Sequence, residues 1–223
     1  MNTPPTDRFA SELRRFGPVG ILAMAVILAG NFVVAPLSAI LALAWARRSG
    51  TPMRAIGFAP PKSWPIVIGA GIVLGVAFKI LMKSVVMPLL GADAVNQAYD
   101  YLVGNTAALP AILFTVIVAA GFGEETVYRG YLFERFGKLL GSGVPARVSI
   151  VLLTSALFGL AHYAEQGIPG AEQAAIVGLV LGTIFAITGR IWMLMVAHSA
   201  FDVTAVFIIY WNLESHVAHL VFK

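Results

Sequence analysis

Two adjacent carboxylates, Glu124 and Glu125, lie just beyond an apolar run at 109–121, with only Phe122 and Gly123 between. Carboxylates within a membrane span are costly, and they usually face a bundle interior or a wet cavity where they serve a function. Two later apolar segments each carry a histidine, His162 and His198. The sequence therefore predicts that acid and imidazole groups meet inside a membrane protein, and an enzyme is the first hypothesis to test.

Composition supports a membrane protein over a soluble one. Of the 223 residues, 59% are hydrophobic and 12% are charged, whereas soluble domains average about 45–50% apolar and about 25% charged residues. The chain has no cysteine, which excludes disulfides, thiolate nucleophiles and Cys-ligated zinc. We predict an all-α polytopic bundle of about six to eight helices around a central polar cavity. The expected surroundings are a lipid bilayer, and no nucleic acid partner is expected.

A helix needs about 17–25 apolar residues to span a bilayer. The candidate spans are 18–46, 64–90, 109–123 continuing toward 136, 148–163, 174–189 and 191–213. The first is too long for one straight helix and contains Gly30, Asn31 and Pro36. It is either one tilted, kinked helix or a tight helical hairpin. Small residues four apart, Gly71 with Gly75 and Gly178 with Gly182, are expected to serve helix packing.

Basic residues favour cytoplasmic loops, and this rule orients the spans. The loop at 47–62 and the connections at 129–147 and 190 are basic, so we expect them in the cytoplasm. The loops at 91–108 and 164–173 carry acidic residues but no Lys or Arg, so we expect them outside. Arginines before residue 18 favour a cytoplasmic N-terminus, which requires an even number of crossings before Arg47. This count favours the hairpin for 18–46.

Helical spacing suggests different roles for the two adjacent carboxylates. Residues four apart share a helix face, so Glu125 can pair with Arg129 and Glu124 can hydrogen-bond to Tyr128. Neighbouring residues point about 100° apart. We therefore predict that Arg129 neutralises Glu125 and leaves Glu124 free to face another helix. The alternative is that both carboxylates are solvated at a cytoplasmic helix end.

Two further motifs place histidines on apolar segments. Phe158 shares a helix face with His162, and His198 shares one with Asp202. A lone histidine near a span end is more often a satisfied interfacial residue than a catalyst. Deep burial of the His198–Asp202 pair without a function would be costly. Together the motifs supply a carboxylate base and two imidazoles, which can activate water and stabilise an oxyanion.

The succession Glu-Glu-x-x-x-Arg, Phe-x-x-x-His and His-x-x-x-Asp resembles the CPBP family of intramembrane proteases, also called Abi. The resemblance covers about 109–202 and is closest in kind to the type II CAAX prenyl endopeptidases. It implies a catalytic core at 108–213, preceded by N-terminal transmembrane helices at 18–107. The remaining parts would be a polar cytoplasmic N-terminus at 1–17 and a C-terminal tail at 214–223.

The same resemblance implies a glutamate-dependent endopeptidase that cleaves membrane-associated peptides or proteins. The expected catalytic residues are Glu124, His162, His198 and Asp202. The expected supporting residues are Glu125, Tyr128, Arg129 and Phe158. In such an enzyme Glu124 with His162 would activate water, while His198 and the residue at 202 would stabilise the oxyanion of the tetrahedral intermediate.

The third motif departs from the prenyl endopeptidases, which typically carry Asn where this chain has Asp202. An ionised Asp cannot donate a hydrogen bond to an oxyanion. Asp202 would therefore be protonated, orient His198 or bind a cation, and we favour the orienting role. Water activated by Glu and His needs no cofactor, so none is expected. The same four catalytic side chains could nevertheless hold a divalent metal such as zinc.

The distribution of basic residues and the resemblance give expectations for location and substrate. The basic loops near Arg129 and Arg190 predict an active site facing the cytoplasm, and the resemblance suggests a bacterial plasma membrane. The expected substrates are peptides or protein tails at the inner leaflet. Lys79 and Lys83 share one face of the second span, and we favour snorkelling to the interface. The alternative is that they line a cavity and attract an anionic group such as a substrate C-terminus.

Two other function classes stay open. A proton-coupled transporter also uses intramembrane Glu and His, although the sequence shows neither an inverted repeat nor clearly paired discontinuous helices. A non-enzymatic membrane scaffold or immunity protein would keep the fold without turnover.

Overall fold

The computed structural model describes residues 7–30 and 36–222, and within them all regular secondary structure is helical. This confirms the predicted all-α class. The chain begins with three short helices, α1 (Arg8–Arg14), α2 (Pro18–Gly30) and α3 (Leu37–Ser49). They precede the long apolar helices that form most of the bundle.

Four described helices are long and apolar enough to cross a membrane. They are α4 (Trp64–Leu89), α5 (Thr106–Leu140), α6 (Val144–Thr188) and α7 (Trp192–Tyr210). A fifth crossing results if α1 and α2, which meet at 63°, count as one bent span. A short helix, α8 (Glu214–Ala218), follows α7. These bounds confirm the predicted helical bundle.

The segment predicted at 18–46 forms two helices rather than one. The Ser38 hydroxyl of α3 donates to the Ile27 carbonyl of α2 at 2.5 Å, and Gly30 packs against Leu41. The single kinked helix is therefore wrong, and the packing of α2 on α3 agrees with a hairpin. Asn31, which belonged to that prediction, lies outside the described residues.

Helix α6 reverses direction at Gly167. This residue has φ 64° and ψ −161°, a left-handed conformation that glycine adopts without a Cβ clash, and Pro169 follows closely. Residues on either side of the break face each other, because a Cβ on Gly178 would lie 2.9 Å from Ser155 Cα. The predicted spans at 148–163 and 174–189 are the two antiparallel limbs of this hairpin, 144–166 and 168–188.

Helices α4 and α7 cross at close range through small residues. A Cβ on Gly71 would lie 2.7 Å from Val196 Cβ, and one on Gly75 would collide with the Ala197 carbonyl oxygen. The expected packing role of this glycine pair is therefore confirmed. His198 and Phe201, which follow Ala197 on α7, are buried next to this crossing.

The outward faces of the long helices are apolar. Ile66, Leu160 and Ile187 expose 70%, 68% and 76% of their surface. Such faces would be costly in water and are matched by lipid chains. The molecule is an integral membrane protein that buries several charged side chains, among them Glu125, Arg129 and Lys79, inside the bundle.

The bundle has two chemically different ends. The basic end joins the 50–63 loop, the end of α5 and the turn at 190, where Ile191 N donates to Gly57 O at 3.1 Å. The acidic end joins the 90–105 loop, the Gly167 turn and the chain after Tyr210. There, Gly104 N donates to Tyr210 O at 3.0 Å.

Candidate active site

A cavity of about 1040 Å³ lies between α4, α5, α6 and α7 and reaches the acidic end. Its wall includes all four residues expected to act in catalysis, namely Glu124, His162, His198 and Asp202. Three separate helices, α5, α6 and α7, bring these side chains to one space. The polar motifs of the sequence thus meet inside the bundle rather than at a solvated helix end.

Glu125 is at the centre of a buried network below the cavity. Its Oε1 accepts from Arg129 Nη1 at 2.8 Å and from His198 Nδ1 at 2.9 Å. All three side chains are almost fully buried. The i,i+4 pair expected on α5 is present, and the same carboxylate also fixes the imidazole of α7, a contact that the sequence analysis did not foresee.

The other nitrogen of His198 points toward two carboxylates. His198 Nε2 lies 3.7 Å from Glu124 Oε2 and 3.5 Å from Asp202 Oδ2. Since Nδ1 is held by Glu125, the orienting bond that we expected from Asp202 comes from Glu125 instead. Asp202 lies beside the ring nitrogen that faces the cavity.

Glu124 lies on the cavity wall with its side chain largely buried. Its Oε2 is buried and has no hydrogen-bond partner among the described residues. The expected bond from Tyr128 is not made, because the Tyr128 ring packs edge-on against Phe158 at 4.8 Å between centroids. A carboxylate oxygen held beside a cavity in this way can accept a proton from a bound water.

Phe158 organises the α6 side of the site. Its carbonyl accepts from His162 Nδ1 at 2.8 Å, and its ring packs against the His162 ring at 4.6 Å. The opposite ring nitrogen of His162 is thereby left for the cavity. The Phe158 ring also lies 4.8 Å from the guanidinium carbon of Arg129 and 5.8 Å from the His198 ring.

Wide helical turns position the α5 motif. Residues Thr115–Glu124 and Thr126–Tyr131 are π-helical, a form that is rare and frequent at functional sites. Gly121 lies inside this stretch, and a Cβ there would collide with the Ser199 hydroxyl of α7. The close approach allows Glu125 on α5 to reach His198 on α7. The glycines beside the paired carboxylates were the only sequence signal of this contact.

The two lysines of α4 line the cavity, so the favoured prediction that they snorkel to the interface is wrong. Lys83 Nζ forms a buried ion pair with Glu214 Oε1 at 2.6 Å. Lys79 is also buried, but its Nζ donates to the neutral Gln173 Oε1 at 3.2 Å and lies 4.7 Å from the Phe201 ring centroid. Glu214, placed in a C-terminal tail from the sequence, forms part of the cavity wall.

Tyr99 connects the 90–105 loop to the α6 hairpin. Its hydroxyl accepts from Gln166 Nε2 at 3.0 Å. Burial raises the pKa of Tyr99 to about 12, and the negative charges of Asp202 and Glu165 add to the shift. The phenol therefore stays protonated at neutral pH and keeps a donor near the cavity rim.

Within residues 7–30 and 36–222, no group of three or more His, Asp or Glu side chains is arranged to hold a metal ion. His198 Nδ1 is engaged by Glu125 and His162 Nδ1 by a backbone carbonyl, which leaves the Nε2 atoms of both rings for the cavity. A divalent metal held by the four motif residues stays a prediction.

The cavity does not face the basic loops. Its lining runs from Glu124 and Tyr128 toward the acidic end and includes residues 92–99 and the turn at 165–170. None of the arginines lines it. The lining therefore does not extend toward the loops near Arg129 and Arg190, and the side of the membrane that the site faces stays a prediction.

Comparison with known protein families gives one match. Residues 106–204 match the family model described as type II CAAX prenyl endopeptidase Rce1-like. The matched region contains all eight residues that the sequence analysis assigned to the site. Comparisons with curated proteins and with solved structures found no match.

Proposed function

We propose, from the match of residues 106–204 to the type II CAAX prenyl endopeptidase Rce1-like family model, that this integral membrane protein is a glutamate-dependent endopeptidase. Its substrates are membrane-associated peptides or proteins, and its nucleophile is a water activated by Glu124. We place it in a plasma membrane of bacterial type. The proposed catalytic side chains come from three helices: Glu124 from α5, His162 from α6, and His198 and Asp202 from α7.

The proposed reaction starts with a water between Glu124 and His162. Glu124 takes a proton as the water oxygen attacks the peptide carbonyl carbon, and a tetrahedral intermediate forms. With both ring nitrogens protonated, His198 donates through Nδ1 to Glu125 and through Nε2 to the oxyanion. Glu124 then returns the proton to the departing amine, and the C–N bond breaks. The products are a new carboxylic acid and a new amine, and transfer of the remaining proton between them gives a carboxylate and an ammonium group.

One observation supports this proposal above all others. Glu124 Oε2 and His198 Nε2 face each other at 3.7 Å on the cavity wall, while Glu125 and Arg129 hold the imidazole from behind. Such fixed geometry holds a carboxylate and an imidazole next to one region of the cavity, where both can reach the same substrate group. The Glu124 side chain keeps 16% of its surface exposed there, which a purely structural ion pair would not require.

The test uses purified protein in liposomes with a mixed peptide library, read by mass spectrometry. We expect new peptide termini with the native chain and none with Glu124→Gln, with equal helical content in both. Glu12→Gln is the matched control, because Glu12 pairs only with the exposed Arg8 on α1. Cleavage that survives Glu124→Gln would contradict the proposal. Proton-coupled flux without cleavage would instead support a transporter.

Lys79 supplies a substrate-binding group within this proposal. It is a buried cation on the cavity wall with no carboxylate within 4.0 Å among the described residues, whereas its neighbour Lys83 is neutralised by Glu214. An unpaired buried charge is costly, and an incoming anion offsets that cost. A peptide carboxylate in the cavity is the chemical partner that fits.

A further inference from the structure

We infer that the cavity opens on the extracytoplasmic side of the membrane, so that the enzyme receives peptide segments from outside the cytoplasm. The inference rests on two independent observations, the position of the cavity and the distribution of basic residues. The identity of the substrate as a peptide rests on the proposed function, but the side of opening does not.

The cavity occupies only one half of the bundle. On α4 its lining begins at Lys79 and continues toward the 90–105 loop, and on α7 it runs from His198 to Ile209. On α6 it includes both limbs near the Gly167 turn, between 158 and 177. The half of the bundle that contains the 50–63 loop and the turn at 190 contributes none of the lining residues.

Aromatic packing closes the floor of the cavity toward the basic end. Phe58, from the 50–63 loop, packs against Phe122 at 6.1 Å and against Trp192 at 5.2 Å between ring centroids. Nearby, a Cβ on Gly130 would lie 3.0 Å from the Ile56 carbonyl oxygen. A peptide cannot pass through this layer without moving several rings, so access comes from the acidic end.

Charge distribution assigns the two ends to opposite sides of the membrane. The connections at the acidic end, 90–105, 164–173 and 211–222, contain no Lys or Arg, and Lys79 and Lys83 lie on α4 inside the cavity. The basic end holds the following: Arg14, Arg15, Arg47, Arg48, Arg54, Lys62, Arg135, Lys138, Arg147 and Arg190. Short loops rich in Lys and Arg remain in the cytoplasm, so the acidic end and the cavity opening lie outside.

The residues around the cavity opening are mostly acidic. Asp93 and Glu165 line the outer part of the cavity, while Asp100 and Glu172 lie in the same two connections. The opening is therefore acidic, and it attracts cationic peptide segments before they reach the deeper Lys79. A peptide with basic residues ahead of a free carboxyl terminus matches this order of charges.

The absence of cysteine from the native chain makes the side of opening directly measurable. Three single-cysteine variants are informative: Gln97→Cys at the rim, Ala205→Cys on the cavity wall and Ser142→Cys at the basic end. Each is expressed in bacterial cells and treated as intact spheroplasts with a membrane-impermeant thiol reagent. Cells lysed before labelling provide the reference.

We expect Gln97→Cys and Ala205→Cys to react in intact spheroplasts and Ser142→Cys to react only after lysis. The inference is overturned if Ser142→Cys reacts before lysis, or if Ala205→Cys reacts only after it. Failure of Ala205→Cys to react under both conditions also overturns it, because an open cavity must admit the reagent. The labelling requires no cleavage, so its result is independent of the peptidase assignment.

Discussion

Arg129 and Arg135 lie six residues apart on α5 and are both fully buried, yet their surroundings differ. Arg129 Nη1 donates to the Glu125 carboxylate at 2.8 Å beside the cavity. Arg135 instead donates to the carbonyl oxygens of Arg14 and Arg15, at 2.8 and 3.1 Å, at the basic end. The partner, rather than burial, distinguishes a site residue from a structural one.

The difference has a physical consequence. The carboxylate that Arg129 holds also orients His198, so a disturbance there is transmitted to the imidazole facing Glu124. The carbonyls that Arg135 holds belong to the last residue of α1 and the residue after it, and neither residue lines the cavity. The first arginine is expected to affect both chemistry and stability, and the second stability alone.

Substitution of Arg129 tests the first half of this comparison and has the largest expected effect. Arg129→Gln leaves Glu125 without its buried cation, which costs about 3–5 kcal/mol of stability. Peptide cleavage is expected to be lost even in the folded fraction, because Glu125 no longer fixes His198. Thermal unfolding in detergent and initial cleavage rates measure the two effects. Full activity in Arg129→Gln would show that the ion pair between Arg129 and Glu125 serves stability alone.

Arg135→Gln tests the second half. Two partly buried carbonyls lose their donor, and the free energy of unfolding is expected to fall by about 0.5–1.5 kcal/mol for each bond lost. The kcat of the folded protein is expected to stay native. Unfolding curves with activity normalised to folded protein separate these quantities. A fall in kcat with the fold intact would remove the distinction between the two arginines.

Lys79 extends the comparison to a buried lysine with no carboxylate within 4.0 Å among the described residues. Lys79→Gln is expected to raise KM for peptides with a free carboxyl terminus roughly tenfold to hundredfold, the value of a charge-assisted hydrogen bond. The kcat is expected to change little, and C-terminally amidated peptides should show no change in KM. Equal effects on free and amidated peptides would contradict the assignment of Lys79 to a substrate anion.

The sequence predicted the parts of the molecule that depend on local pattern. Apolar length located α4, α5 and α7, and four-residue spacing predicted the contact between Glu125 and Arg129 on one helix. The pairing of glycines on α4 predicted a close crossing. Each of these features depends on residues that are close together in the sequence, and it can therefore be predicted from the sequence alone.

Contacts between distant segments were harder to predict. The bond from His198 to Glu125 spans 73 positions and depends on the π-helical turns of α5. The sequence predicted a loop at 164–173. In the structure both flanking helices continue through this region, and only Gly167 has a non-helical conformation. Lys79 and Lys83 stay buried because Gln173 and Glu214 reach them from other helices, which overrides snorkelling.

The direction of access also required three-dimensional information. Basic loops near Arg129 suggested a cytoplasmic site, but on α5 the cavity lining extends from Tyr128 in the opposite direction. The position of Arg129 close to a basic loop in the sequence therefore did not predict toward which end of the bundle the cavity extends.

The most direct test of the central claim follows the oxygen of the attacking water. Native protein in excess over a peptide substrate is reacted for a single turnover in H₂¹⁸O, with Glu124→Gln in parallel. We predict one ¹⁸O in the new carboxylate on that first turnover, and a rate for Glu124→Gln that is roughly 10²- to 10⁴-fold lower. Native-rate cleavage by Glu124→Gln, or a first-turnover product without ¹⁸O, would contradict water activation by Glu124.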